Sequence, residues 1–392
     1  MHPKIYLKPG KEKPLLAHHH WVFSGAILKA DPGVRHGGIV DLYAADHKFM
    51  GTGYYNEKTS IAVRVLSFTP APIDSNFFWD RIFRAWSLRQ KLFAGHGTNA
   101  YRVCHGEGDF LPGLVIDRYD GGIVIQLQAL GLEPFRQDLA EIVSVMMKPA
   151  FIYERSEGPS RAEEGLEPAT GALRGELPAG GVGVEEDGIR FTVDVAGGQK
   201  TGFFLDQRDN RRLVRDVARD RTVLNCFGYT GAFSVAAALG GATRTVTVDT
   251  SAPALEAARA NFRLNGLDDG KHGFVRANVM ELLRKPGEKY DLVVLDPPAF
   301  AKRQSAAQAA FHGYKDVNLH AMKTLNPGGW LLTCSCSAHV DAATFQKIVF
   351  AAAVDAGRNV QILRKLAQPM DHPVNVFHPE TEYLKALLVR VT

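Results

Sequence analysis

Two side chains in this 392-residue chain are placed by their neighbours to do chemistry, one as a nucleophile and one as a fixed carboxylate. The stretch Leu331-Leu332-Thr333-Cys334-Ser335-Cys336-Ser337, entered through a Pro327-Gly328-Gly329 turn, reads as an apolar strand that leaves its hydrophobic run at Ser335. Alternation puts Cys334 and Cys336 on one face while both remain in the strand, with Cys334 one repeat deeper. A thiol buried in a strand is an inert small hydrophobe, whereas one at the rim is accessible as a nucleophile, so Cys336 is the better candidate. The second side chain is Asp296, where Tyr290-Asp291-Leu292-Val293-Val294-Leu295-Asp296 runs into Pro297-Pro298-Ala299-Phe300. Two prolines fix the exit from the strand and aim the carboxylate into a cleft; the bland reading is a strand end followed by a turn. Lys302 and Arg303, immediately beyond, have the reach to meet a phosphate, or simply belong to a solvated loop.

A ligand that brings reactive carbon to such a site needs its own pocket, and an earlier crossover offers one. Leu224-Asn225-Cys226-Phe227-Gly228-Tyr229-Thr230-Gly231-Ala232-Phe233-Ser234 carries two glycines that permit a tight strand-to-helix turn and close backbone approach. It is neither the dinucleotide fingerprint nor a phosphate-binding loop ending in Gly-Lys-Ser/Thr. The next strand ends at Asp249, 18 residues after Gly231, where a carboxylate can accept hydrogen bonds from both hydroxyls of a ribose. A ribose without a pyrophosphate points to S-adenosylmethionine or a related nucleoside. Asn278, after the following strand, is suited either to an adenine contact or to capping the helix of Met280, Leu282 and Leu283.

These groups require a scaffold, and the hydrophobic pattern supplies it. After Thr201, short apolar strands at Thr222–Asn225, Thr245–Asp249, Phe274–Ala277, Tyr290–Asp296 and Trp330–Cys334 alternate with helix-length segments, then come a helix over Ala342–Ala356 and strands at Val360–Leu366 and Leu384–Val391. Strands that are apolar without alternation belong to a mostly parallel sheet covered on both faces, so residues 201–392 are expected to form a doubly wound α/β domain with its ligand beyond the carboxyl ends of the strands. Residues 1–69 read as short strands in a small barrel-like β module closed by Thr69-Pro70-Ala71-Pro72. Residues 73–155 read as an α+β module: a helix from about Asp74 to Phe93 capped by Ser75 or Asn76, strands near Tyr101–Cys104, Leu114–Tyr119 and Ile123–Leu127, a helix over Phe135–Met147 and a strand at Phe151–Tyr153. Residues 156–200, rich in Gly and Pro, read as an exposed connection with a hairpin beginning at Val182 and returning at Ile189.

Composition narrows the class. With 45% hydrophobic and 22% charged residues the chain resembles an ordinary globular protein, and its four cysteines lack zinc-site spacing or a disulfide framework. No apolar run is long enough to span a membrane, no leader is evident, and a reducing cytoplasm is the expected location; no metal is signalled. The net charge of +4 is modest, but its distribution is uneven: residues 1–69 alone carry +4, whereas 157–187 carry −6. A locally positive module suits phosphate contact, although a solvated face would look the same.

Several blocks in order resemble the bacterial and archaeal large-subunit ribosomal RNA cytosine-C5 methyltransferases: Gly198 to Arg211, Asn225 to Ser234, Leu295 to Phe300, Ser335-Cys336-Ser337, and Asp371-His372-Pro373-Val374 with Pro379-Glu380. The resemblance implies a Rossmann-like class I methyltransferase domain with an N-terminal β-rich PUA domain over 1–69 and a central α+β spacer. It implies S-adenosylmethionine as cofactor, held by Gln207, Arg208, Arg211, Asn225, Phe227, Gly228, Thr230, Gly231, Asp249, Asn278 and Asp296. Pro297, Pro298, Phe300 and Lys302 would face the substrate, ribosomal RNA either free or in early assembly. Cys336 would be the nucleophile and Asp296 the active-site acid. Two departures stand out: Asn225 where many class I enzymes have Asp, and Asn278 where the family usually has Asp. An RNA N-methyltransferase is the rival enzyme, but that class resembles an Asn-Pro-Pro pattern and has no use for Cys336; a non-catalytic RNA-binding or assembly module is the rival binding protein. Monomer and homodimer both remain open.

Overall fold

The computed structural model describes residues 2–267, 270–285, 287–300 and 307–392. They fall into two compact units, of which the first comprises the chain through Val184 together with Val193–Leu205 and Met370–Thr381. It opens with β1 (Lys4–Leu7), α1 (Lys13–Leu16), β2 (Trp21–Phe23), β3 (Ile27–Ala30), β4 (Ile39–Tyr43), β5 (Phe49–Tyr55) and β6 (Ile61–Ser67). These form one six-stranded sheet in the order β2-β6-β5-β4-β1-β3 around Ile5, Leu7, Val40, Leu42, Val63 and Val65. Strands β2 and β3 lie in a stretch whose sequence shows too little alternation to announce them.

The unit continues with α2 (Ser75–Phe93), β7 (Ala100–His105), β8 (Leu114–Tyr119), β9 (Gly122–Leu127), α3 (Arg136–Met147), β10 (Phe151–Ser156), α4 (Pro159–Glu163) and β11 (Ala169–Arg174). Asp74, not Ser75 or Asn76, caps α2, its Oδ1 accepting from Phe77 N at 3.0 Å. The segment expected to be an exposed connection is partly structural. β11 pairs antiparallel with β10 at the edge of a five-stranded sheet, and Arg161 and Glu164 are buried. Glu164 accepts from Asn56 and pairs with Arg64 at 2.9 Å, so its acidity is a countercharge and not a solvated run. The late Asp371 block also belongs here: Arg89, fully buried, donates to Asp371 O at 2.6 Å, while Asp371 Oδ2 accepts from Arg102 N at 2.9 Å.

The second unit comprises Glu185–Thr192, Asp206–Pro369 and Glu382–Thr392, and so takes in most of a hairpin of β12 (Val182–Glu186) and β13 (Ile189–Val193). Its elements are α5 (Arg208–Val217), β14 (Thr222–Cys226), α6 (Ala232–Leu239), β15 (Arg244–Asp249), α7 (Ala252–Leu264), β16 (Gly273–Arg276), α8 (Val279–Arg284), β17 (Tyr290–Leu295), α9 (Ala307–Thr324), β18 (Leu325–Ser335), α10 (Ala342–Ala356), β19 (Val360–Leu366) and β20 (Lys385–Val391). The sheet order is β16-β15-β14-β17-β18-β20-β19, parallel from β16 through β18 and antiparallel where β20 inserts between β18 and β19. Leu292, Val293, Val294 and Leu295 are all fully buried, because helices cover both faces of the central strands. This is the class I methyltransferase arrangement. No described helix is long and apolar enough to cross a membrane.

Candidate active site

The parallel register sets Cys226 opposite both Val248 and Leu295, and Leu295 opposite Thr333. The chain therefore leaves β14, β15, β17 and β18 at one rim of the sheet, carrying Phe227, Asp249, Asp296 and Cys336 there. At β14 the backbone turns sharply. Phe227 and Tyr229 adopt left-handed φ values of 59° and 45°, and Gly231 follows at 76°. Strain at two non-glycine residues in one turn is a mark of a functional loop. Gly228 itself does not use its left-handed freedom; it is required because a Cβ there would lie 2.4 Å from Thr247 Cγ2. At Gly231 a Cβ would lie 2.8 Å from that of Ala258, so this glycine serves close packing against α7 as well.

Asp249 is held by two backbone donors, Tyr229 N to Oδ2 and Ser251 N to Oδ1, each at 2.9 Å. Each carboxylate oxygen can accept a second bond, so the pair of ribose hydroxyls expected from the sequence finds an oriented acceptor. Asn225 is buried; its Nδ2 donates to Ser234 Oγ at 2.9 Å, and its Oδ1 is buried without a partner. An orphaned amide oxygen at the end of β14, a carboxylate anchored on the turn and glycines that admit no Cβ together suit a nucleoside cofactor. Asn278 fills one of its two expected roles, capping α8 with Oδ1 accepting from Met280 N at 2.9 Å, a role that does not exclude the other. Thr230 O accepts from Asn261 Nδ2 at 3.0 Å, which ties the turn to α7.

The acid side of the site is built from α5. Gln207, buried just before that helix, donates from Nε2 to Asp296 Oδ1 at 2.8 Å and accepts from Asn210 Nδ2 at 2.5 Å. Gln207 therefore orients Asp296. Arg208 is buried at the first turn of α5. Arg211 faces the hairpin: its Nε and Nη2 clasp Glu186 at 2.6 and 2.5 Å, both side chains being almost fully buried. A guanidinium consumed in a bidentate pair has a structural duty that sequence spacing did not reveal.

Beyond β17, Pro297 is buried and Pro298 exposed, while Phe300 packs edge-on against Tyr314 of α9 with centroids 4.7 Å apart. Lys302 and Arg303 lie outside the described residues. Cys334 is fully buried, and burial, with Asp296 nearby, pushes its thiol well above the ordinary range. Cys336 sits just past the end of β18 and is partly exposed. Two residues that the sequence did not single out complete the surroundings. Tyr314 lies within hydrogen-bond distance of Ser337 Oγ, 2.9 Å, and Lys385 donates to Ser337 O at 2.7 Å. A tyrosine on a helix carries no signal of its own, but a lysine heading the apolar strand Ala386–Val391 was a legible irregularity.

A second titratable cluster lies in the first unit. His19, His378 and Glu380 bring side-chain atoms within 4.8 Å of one another. However, His19 Nδ1 accepts from Trp21 N at 3.2 Å, which leaves the proton on Nε2, directed at Glu380 Oε2 at 3.2 Å. A metal at that nitrogen would have to displace its proton and break the Trp21 bond.

Residues 165–390 match a family profile described as S-adenosylmethionine-dependent methyltransferase, and residues 5–68 match one described as a PUA-like domain. A protein of Shewanella denitrificans named ribosomal RNA large subunit methyltransferase I is 45% identical over 393 residues, 99% of each chain. A Vibrio cholerae protein of the same name is 43% identical over 396 residues, 100% of each. Among solved structures, a protein described as a SAM-dependent methyltransferase from Streptococcus mutans superposes with a TM-score of 0.86 over 99% of both chains at 24% identity. Another, solved as a complex with SAH, gives 0.87 over the same coverage and identity. The two structures agree with the chain in fold.

Proposed function

Because the chain belongs to the S-adenosylmethionine-dependent methyltransferases, and within them to the family of the ribosomal RNA large subunit methyltransferases I, we propose that it methylates cytosine C5 in large-subunit ribosomal RNA through a covalent adduct on Cys336. The observation that carries this reading is the contrast between the two thiols of one strand end. Cys334 is sealed and held protonated, while Cys336 emerges at the rim that Asp296 also reaches. Cytosine C5 is a poor nucleophile, and addition of a thiolate at C6 pushes electron density onto C5. Bound S-adenosylmethionine supplies an electrophilic methyl group. Asp296, oriented by Gln207, accepts from the N4 amine and from N3 as that nitrogen takes up a proton, which offsets the charge that develops in the adduct. Transfer of the C5 proton to a base or water in the cleft then expels the Cys336 thiolate, N3 gives up the proton it had taken, and the ring is restored. Asp249 anchors the ribose, and the strained Phe227–Gly231 turn wraps the rest of the nucleoside.

The test is methyl transfer to RNA from a strain lacking the gene, with the product base mapped. The expected product is 5-methylcytidine in large-subunit RNA. Cys336→Ala is expected to bind SAH normally and to lose methylation, and Asp249→Ala to weaken SAH by about 1–3 kcal/mol in calorimetry. Comparable turnover by Cys336→Ala, or a methyl group found on an exocyclic amine, would overturn the reading.

A further inference from the structure

Lys385 is an anomaly of position. It is the first residue of β20, pairs in antiparallel register with Ser335, and is only 7% exposed. Its ammonium has no carboxylate within salt-bridge distance among the described residues; Nζ donates instead to two backbone carbonyls, Ser337 O and Tyr383 O, each at 2.7 Å. Buried cations are costly, and neutral acceptors compensate them only in part. One of those carbonyls belongs to the residue that follows Cys336 and the other to the segment leading into β20, so the ammonium is tied to the turn that carries Cys336.

The surrounding groups leave Lys385 a specific task. Tyr314 from α9, Cys334 from β18 and Lys385 from β20 all lie within electrostatic reach of Cys336; Asp296 faces Cys334, while Glu382 and Asp341 face Lys385. Among these groups Lys385 is the one that carries positive charge. Burial draws the lysine's pKa down, and Cys336 is foremost among the groups that hold it up. A thiol of ordinary acidity is largely protonated at neutral pH, and only the thiolate adds to a ring carbon.

We propose that Lys385 is a positioning residue that fixes the Ser335–Ser337 turn and, through its buried ammonium, stabilises the thiolate of Cys336. This rests on the reading of Cys336 as the nucleophile, but it concerns the state of the thiol before any RNA binds. The ammonium stays protonated throughout and transfers no proton.

The experiment is alkylation of the full-length protein by iodoacetamide from about pH 6 to about pH 10, followed on the Cys336 peptide by mass spectrometry; the thiolate displaces iodide, so the rate tracks the thiolate fraction. In the unsubstituted protein the midpoint is expected below about 8.5, the value of an ordinary thiol. Lys385→Met should raise it by about one unit, a loss of about tenfold in rate near neutrality, and Lys385→Arg should restore it. A midpoint at or above about 8.5 in the unsubstituted protein overturns the proposal even if Lys385→Met does not fold. So does an unchanged midpoint in a Lys385→Met protein that still binds SAH. Failure of the function itself would look different: methylation surviving in Cys336→Ala, whatever the alkylation profile.

Discussion

Cys334 and Cys336 share a residue type and differ in what surrounds them, and this is the scale at which reactivity is decided. A thiol with fully buried surroundings and a carboxylate nearby resists ionisation, whereas Cys336 emerges past the strand end where, as proposed, a buried ammonium eases its ionisation. Gln207 illustrates the same point for the acid. Its hydrogen bonds to Asp296 and Asn210 place it one step from the chemistry. Gln207→Leu is therefore expected to lower the methylation rate by about 10–100-fold, the cost of removing a bond to a charged group, with little change in SAH affinity. Single-turnover kinetics with parallel calorimetry checks this; a large loss of SAH affinity at unchanged rate would instead make Gln207 a direct cofactor ligand.

Among the elements, the hairpin β12–β13 and helix α5 hold the acid side in place. Arg211 and Glu186 form a buried bidentate pair, and Arg212 clasps Asp187 at the hairpin tip. Breaking a buried pair leaves an uncompensated charge, so Glu186→Ala should destabilise the second unit by about 3–5 kcal/mol. Because α5 also carries Asn210 and follows Gln207, the same substitution should slow methylation without touching cofactor or base. Urea denaturation measures the first effect, and a change below about 1 kcal/mol would contradict the burial argument. Arg211→Met combined with Glu186→Leu should recover much of the loss, since apolar replacement of both partners removes the stranded charge.

For the molecule as a whole, acid is expected to strike the first unit. Burial lowers the pKa of His20 and His105, and brings that of His378 down to about 4. A histidine whose folded pKa lies below its unfolded value keeps the native state neutral while the unfolded chain takes up protons. Stability is thus complete above about 6.5 and falls as the pH drops from there toward about 4. Glu107 adds to the loss below the ordinary carboxylate range; burial raises it, but Arg64 and the Trp21 indole outweigh that and hold it down. Melting temperatures measured between about pH 7 and about pH 4 should fall, and His378→Phe should flatten the curve; an unchanged slope in that variant would remove His378 from the account. The same unit carries the PUA-like module, proposed to dock RNA. Removing residues 1–69 is a poor test, since it strips Arg64 from buried Glu107 and Glu164 and takes Tyr54 and Leu66 out of a core shared with β7 to β9. Reversing exposed charges at Lys8, Lys11 and Lys13 leaves that core intact. It should raise the KM for RNA and flatten its salt dependence, while SAH binding stays constant.

By itself the sequence determined the doubly wound sheet and the strand ends that carry Asp249, Asp296 and Cys336, and it put Cys334 deeper in the strand than Cys336. Each is written in local order: apolar runs without alternation, a period of two within a strand, prolines and glycines at the exits. Tertiary structure decided which polar side chains serve those three. Gln207 beside Asp296, Glu186 beside Arg211, Lys385 bonded to Ser337, and the return of Asp371 to Arg89 and Arg102 join residues between 25 and 282 positions apart. No periodicity encodes such a pairing. A buried charge must find a partner, and which partner it finds depends on the packing of whole elements.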